Sequence, residues 1–301
     1  MKVAVTGATG LLGTRLVAAL RSRGDQVLVL SRDPDRASQA LGVPAVAWDP
    51  MAGPPPAAAF DGVDAVAHLA GENVAQRWND KVKQKIRDSR LIGTRNLVAG
   101  LRAAGDHGPR ALISASAAGY YGNRGDEPLE ESASAGEDFL AAVCVGWERE
   151  ALAATEFDVR VAIVRIGVII DGAGGALAKM LPPFKLGVGG PVAGGRQYVA
   201  WIALDDVVGV FLAAIADEAW SGAFNAAAPT AVTNTELSRA LGHALHRPAI
   251  VPVPAFALRI MYGDMARIVT GGQRMVPART IEHGYRFKYE HLGDALEAAL
   301  G

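Results

Sequence analysis

The chain of 301 residues has one cysteine, Cys144. An internal disulfide is therefore excluded, and a reducing compartment is the natural setting. Charge of one sign is also lacking: 30 Lys and Arg stand against 31 Asp and Glu. A nucleic-acid partner would call for a basic face, and the balance gives no sign of one. No apolar run reaches the roughly 20 residues that span a bilayer. The opening Met1-Lys2-Val3-Ala4-Val5-Thr6 reads as a strand, not as a charged leader followed by an apolar core. His243 and His246 lack a third ligand, so no metal is expected. These absences lead to the expectation of a cytoplasmic protein with no membrane and no nucleic-acid partner. What is plentiful is apolar surface: half the residues are hydrophobic, enough for a full core in one large domain or two intimate ones.

Strand and helix patterns alternate through the first two-thirds. Lys2 to Thr6 is a short β-branched run, Leu11 to Arg23 has helical apolar spacing closed by Gly24, and Gln26 to Leu30 is a second strand. Further strands are expected at 45–48, 64–69, 110–114 and 160–166, with long helical segments over 80–104 and 137–154. This order predicts an α/β fold, a doubly wound parallel Rossmann sheet with right-handed crossovers. After Ile170 the texture turns Gly- and Pro-rich. A smaller C-terminal α/β substrate lobe is expected there. Residues 1–170 would form the nucleotide-binding domain, with 205–228 returning to it; 171–204 and 229–301 would form the substrate lobe.

Gly7-Ala8-Thr9-Gly10-Leu11-Leu12-Gly13 follows the first strand and opens the first helix. In that context Gly7 permits the tight turn, Gly10 a close approach of backbone to phosphate, and Gly13 close packing of helix on strand. The N–H groups of the opening turn would hold a pyrophosphate. At the end of the second strand stands Leu30-Ser31-Arg32, where an NAD-binding chain usually places an acidic residue. Arg32 can clamp a 2′-phosphate and Ser31 can add a hydroxyl, so NADP(H) is the expected cofactor. Asp49, Leu69, Ala70, Gly71 and Ser114 fall at strand ends on the same edge and complete the expected cofactor site. His68 reads as a packed strand residue rather than a catalyst.

The ensemble of Thr6-Gly7-Ala8-Thr9-Gly10-Leu11-Leu12-Gly13, His68-Leu69-Ala70-Gly71-Glu72-Asn73, Gln76-Arg77-Trp78, Asp88-Ser89-Arg90 and Ser114-Ala115-Ser116-Ala117-Ala118-Gly119-Tyr120-Tyr121-Gly122 is specific. With Trp147-Glu148, Arg165-Ile166-Gly167, Trp201-Ile202-Ala203-Leu204-Asp205-Asp206 and Gly284-Tyr285-Arg286-Phe287 it covers essentially the whole chain. It resembles the extended short-chain dehydrogenase/reductases, and more narrowly their atypical branch of epimerase family proteins with a DUF1731-like C-terminal segment. The resemblance implies NADP(H) and a hydride-transferring oxidoreductase or epimerase-like enzyme. It also implies a Ser/Thr, a Tyr and a Lys at fixed places, and here those places hold Ala117, Leu140 and Cys144. Leucine transfers no proton, and a neutral thiol brings no positive charge; acid–base help usually contributes about 10²–10⁴-fold in rate.

Replacement candidates are Ser116, Tyr121 and Glu72 for catalysis, and Arg90, Arg165, Gln197 and Trp201 for an unknown small polar substrate. The alternative is an NADPH-binding sensor or regulatory protein without turnover. Helices 80–104 and 137–154 are expected to pair with a second copy in a homodimer, as equivalent helices do in related proteins.

Overall fold

The computed structural model describes all residues, 1–301. Its centre is a sheet of seven parallel strands in the order β11-β7-β5-β4-β1-β2-β3. These are β1 (Lys2–Thr6), β2 (Gln26–Ser31), β3 (Ala45–Ala47), β4 (Ala65–His68), β5 (Ala111–Ala117), β7 (Arg160–Ile166) and β11 (Gly222–Ala226). The order reverses between β1 and β4, so a crevice opens at their carboxyl ends. Alternate residues of the strands feed two cores. Val3 and Val5 face one, Ala4 the other.

Helices α1 (Leu11–Ser22), α2 (Pro34–Leu41) and α6 (Leu204–Ala216) cover the first face. On the second face lie α3 (Asp80–Ala104) and α4 (Phe139–Leu152), packed on each other. Asn79 caps α3 by accepting from the N–H of Val82, and Asp138 caps α4 by accepting from that of Ala141. The outer surface of this pair is laced by Arg95–Glu150 and Arg102–Glu156 ion pairs.

A third core, built on Leu177, Trp201, Leu237 and Leu296, sits apart from the other two. Its helices are α5 (Gly175–Lys185), α7 (Asn234–Ala244) and α11 (Leu292–Leu300). Short strand pairs frame it: β8 (Val168–Ile170) runs parallel to β10 (Trp201–Ala203), and β9 (Tyr198–Val199) antiparallel to β12 (Val232–Thr233). Strand β6 (Pro128–Leu129) pairs with β13 (Arg274–Met275), joining a loop of the large sheet to the C-terminal segment. The remaining helices, α8 (Ala255–Tyr262), α9 (Ala266–Thr270) and α10 (Ala278–Glu282), are short.

Two carboxylates tie the C-terminal segment down. Asp206 accepts from the N–H groups of Lys288 (2.7 Å) and Tyr289 (3.0 Å), and Glu131 accepts from those of Asn225 (3.0 Å) and Arg279 (3.2 Å).

Candidate functional site

The crevice at the β1–β4 reversal is an open cleft of about 330 Å³. Gly7, Thr9 and Gly10 form its floor, Ser31, Arg32, Trp48, Asp49 and Met51 one end, and Leu69 to Glu72 with Ser89 the other. Gly7 has φ +68°, and a Cβ there would lie 2.7–2.8 Å from the backbone of Leu69 and Ala70. No other residue type fits both demands. Thr6 draws the β4 exit against this turn: its Oγ1 accepts from the N–H groups of Leu69 (3.2 Å) and Ala70 (3.3 Å). A Cβ on Gly13 would strike the Gly7 carbonyl, so the first turn of α1 packs directly on the loop.

Gly10 caps α1 without a side-chain hydrogen bond. The N–H groups of Leu11, Leu12 and Gly13 thus lack intrahelical acceptors, and with the helix dipole they make a site for an anion. Leu12 offers only its backbone, since its side chain is in the core, and the Leu11 side chain packs on Gly174 and Gly175. Arg32 is exposed and makes no hydrogen bond or ion pair within the chain. Asp33 is turned aside: its Oδ1 accepts from the N–H of Arg36 at 3.1 Å and caps α2. Ser31 Oγ bonds the backbone of Asp33, and Asp49 Oδ1 accepts from the N–H of Met51.

Ser114 departs from expectation. It is fully buried and its Oγ donates to the Ala115 carbonyl at 3.2 Å, so it does not reach the cleft. His68 is also fully buried, bonded to Thr6 Oγ1 at 2.7 Å and Thr94 Oγ1 at 2.9 Å. Burial, then the Arg90 charge, pushes its pKa down to about 3.

The expected catalytic hydroxyls are corrected by what surrounds them. Ser116 Oγ donates to Glu148 Oε1 at 2.6 Å. Tyr121 is fully buried; its hydroxyl donates to Asn225 Oδ1 at 2.7 Å and accepts from Arg165 Nη1 at 3.0 Å. Arg165 in turn grips both oxygens of Glu148 at 2.9 Å and lies flat on the Tyr120 ring, 3.4 Å from its centre. This is a closed scaffold network. Burial pushes the Tyr121 phenol up to about 12, so it is a poor acid near neutrality. Four of the five Arg165 N–H groups are taken within the chain, the second Nη1 bond going to the Glu131 carbonyl at 3.0 Å, so no two-pronged face is left for a substrate carboxylate or phosphate.

Gln197 and Trp201 are likewise structural. The Gln197 amide donates to the carbonyls of Val192 and Val269, both at 3.0 Å, and the Trp201 indole to that of Thr230 at 2.9 Å. Glu72 remains at the cleft, held loosely by Gln76 at 3.1 Å. Arg90 stands beside Gly71. Trp48, Pro50, Met51 and Ser89 also line the cleft; nothing in their spacing marks them beforehand.

The wall opposite the Ala117–Tyr121 turn is apolar. A Cβ on Gly119 would lie 3.1 Å from Leu140 and 3.8 Å from Cys144, and Cys144 Sγ stands 4.0 Å from the Ala117 carbonyl. Burial pushes the Cys144 thiol up to about 12, which keeps it neutral and unreactive. Nowhere do three or more His, Cys, Asp or Glu side chains cluster as metal ligands would.

Residues 3–227 match the NAD dependent epimerase/dehydratase family. The chain belongs to that family. Residues 253–299 match the domain of unknown function DUF1731. An epimerase family protein of Mycobacterium bovis is 40% identical over 98% of this chain and 96% of its own length. A chloroplastic epimerase family protein of Arabidopsis thaliana is 38% identical, covering 100% of this chain and 87% of its own length. Human epimerase family protein SDR39U1, crystallised with NADPH, is 31% identical with a TM-score of 0.88, covering 99% of both chains. A nucleoside-diphosphate sugar epimerase from Corynebacterium glutamicum is 34% identical with a TM-score of 0.79, covering 100% of this chain and 58% of its own. No helix in this member of the epimerase family is long and apolar enough to cross a membrane.

Proposed function

We propose that the chain binds NADP(H) in the β1–β4 cleft and transfers hydride to or from a small polar substrate, as an oxidoreductase or epimerase-like enzyme. The observation that carries the cofactor choice is the pairing of Arg32 and Asp33. The guanidinium is free at the ribose end of the cleft, while Asp33, the acid next to it in the chain, is occupied as a helix cap and Asp49 Oδ1 holds the N–H of Met51. A 2′-phosphate gains a bidentate partner there, and a free 2′-hydroxyl gains no carboxylate. The N–H groups of Leu11, Leu12 and Gly13 hold the pyrophosphate, with Thr9 and Gly10 beneath it. Leu69, Ala70 and Gly71 give the far half a strip of backbone, with the Leu69 side chain packed against the core, and Asp49 borders the adenine end.

When bound, the dinucleotide supplies the hydride. The chain's own part is to orient it and to exclude water along the Leu140–Cys144 wall. Glu72 is the one carboxylate of the cleft on the side away from Arg32 and Asp49, and it takes the role of proton acceptor and donor at its Oε atoms. A second reading, NADPH binding without turnover, is favoured by one observation: Ser116 and Tyr121 are locked into the Glu148–Arg165 network.

NADPH deuterated at the reactive carbon separates the two readings. Incubated with the protein and a panel of carbonyl compounds and nucleotide sugars, it should pass deuterium to one class of product, and Glu72→Gln should slow that transfer by about 10²-fold or more. Tight NADPH binding with no transfer to any member of the panel would sustain the sensor reading instead.

A further inference from the structure

Arg90 is a cation without an obvious employer. Helix α3 delivers it to the rim of the cleft, where a Cβ on Gly71 would lie 3.1–3.4 Å from the guanidinium. One nitrogen, Nη1, donates to the carbonyls of Glu72 (3.1 Å) and Ile86 (3.2 Å), and the Trp147 ring centre lies 5.0 Å away. These contacts fix the side chain but use only a part of it. Nε and Nη2 find no acceptor, and no carboxylate pairs with Arg90. Its neighbours on the same helix do pair, Arg87 with Asp88 and Arg95 with Glu150. A largely buried guanidinium without a counter-charge is expensive in folding free energy. Sites that hold such groups tend to be those where a ligand completes them.

The place matters as much as the charge. Cys144 stands at the position from which α4 would deliver a lysine in the wider superfamily. It lies close enough to Arg90 for the guanidinium charge to bear on its thiol. Trp147, under Arg90, is three residues further along the same helix. Two helices therefore converge on one spot beside Gly71, and the positive charge absent from α4 is present on α3.

We propose that Arg90 supplies from α3 the cation that Cys144 does not supply from α4, and that its free Nε and Nη2 hold the ribose hydroxyls at the nicotinamide end of the bound dinucleotide. This rests on the NADP(H) reading above. A guanidinium suits such work better than an ammonium, because its planar fork offers two parallel donors to neighbouring oxygens. It does not release its proton near neutrality, so its task is to hold and orient rather than to shuttle.

The test is a pair of titrations on the full chain, with NADPH and with adenosine 2′,5′-bisphosphate, the fragment without the nicotinamide half. Arg90→Met keeps the apolar stem and removes the guanidinium. It should weaken NADPH by about tenfold or more, the worth of a charged hydrogen bond, and leave the fragment within about twofold. The unliganded Arg90→Met protein should melt close to the wild type, because no ion pair is lost and only the bonds to the Glu72 and Ile86 carbonyls go. Adding Cys144→Lys to Arg90→Met should restore most of the NADPH affinity by returning a cation from α4.

NADPH affinity unchanged in Arg90→Met, or NADPH and fragment weakened in parallel, overturns the assignment. So does a double variant that binds the fragment normally yet regains no affinity for NADPH. A wild-type chain that fails to bind the fragment overturns the cofactor reading, and the Arg90 proposal with it.

Discussion

At the scale of single residues, burial decides the chemistry around the cleft. His68 is pushed from the ordinary 6.5 to about 3, so the folded chain keeps it neutral where the unfolded chain would take a proton. Its contribution is full above pH 6.5 and is lost as pH falls toward the folded value. One proton changes stability by about 1.4 kcal/mol per pH unit, so between pH 6.5 and pH 5 the loss is about 2 kcal/mol. Urea unfolding at the two pH values should show this extra loss in the wild type and not in His68→Gln; parallel pH dependence in both would refute it.

Glu148 and Arg165 form a buried, two-pronged pair with side chains 8% and 5% exposed. Glu148→Gln removes the counter-charge and should cost about 3–5 kcal/mol, against about 1 kcal/mol for Cys144→Ala. NADPH affinity should survive Cys144→Ala. Denaturant midpoints check both costs, and a Glu148→Gln protein as stable as the wild type would mean the pair is not what holds this region. Ser116, Tyr121 and Arg165 were recognisable in the sequence as polar residues at the catalytic edge, but their orientation was not. The partners that immobilise them, Glu148 and Asn225, lie 32 and 104 positions away, a separation that no local pattern reports.

Among the elements, those with strong periodicity and clear caps were legible to within one or two residues at each end. Helix α3 runs from Asp80 to Ala104 as its pattern predicts, because Asn79 and Gly105 punctuate it. Strand β5 extends to Ala117 instead of ending at Ser114, since β7 pairs with it along its whole length. The eight-residue α2 escaped notice: it buries only Ala37 and Leu41, too few for a period to show. Helix α5 continues to Lys185 through Pro182 and Pro183, past the point where a proline would ordinarily end it.

The glycine turn can be tested at this scale. Gly13→Ala places a methyl against the Gly7 carbonyl and should cost about 1–3 kcal/mol by overpacking. Cofactor binding should fall with it, since the turn and the helix start move together; an unchanged melting temperature and NADPH affinity would contradict the close packing. On the outer side of α4, Val145 and Leu152 are 43% and 41% exposed, one heptad apart. A homodimer through α3 and α4 would cover them, so light scattering should give twice 31.3 kDa for the wild type and a monomer for Val145→Asp. A wild-type monomer at micromolar concentration removes the dimer.

For the whole molecule, the change of texture visible after Ile170 coincides with the point where the third core begins, its members running from Ile170 to Leu296. What stayed hidden is how that part and the large sheet are sewn together. Glu131 lies in the loop after β6, Asn225 in β11 and Asp206 in the first turn of α6, and each accepts from or donates to backbone beyond residue 275. Such side-chain-to-backbone bonds have no sequence signature, because the backbone partner can be any residue. The cleft itself was legible because its parts are dictated by backbone geometry, the glycine turn above all, and by one decisive side chain.

That side chain is Arg32. Fluorescence titration of NADPH and NADH against the wild type and Arg32→Asp tests its role most directly. The wild type should prefer NADPH by about tenfold or more, the worth of a charge-assisted phosphate contact, and Arg32→Asp should abolish the preference by weakening NADPH while barely changing NADH. Equal affinities in the wild type, or equal losses for both cofactors in the variant, would contradict it.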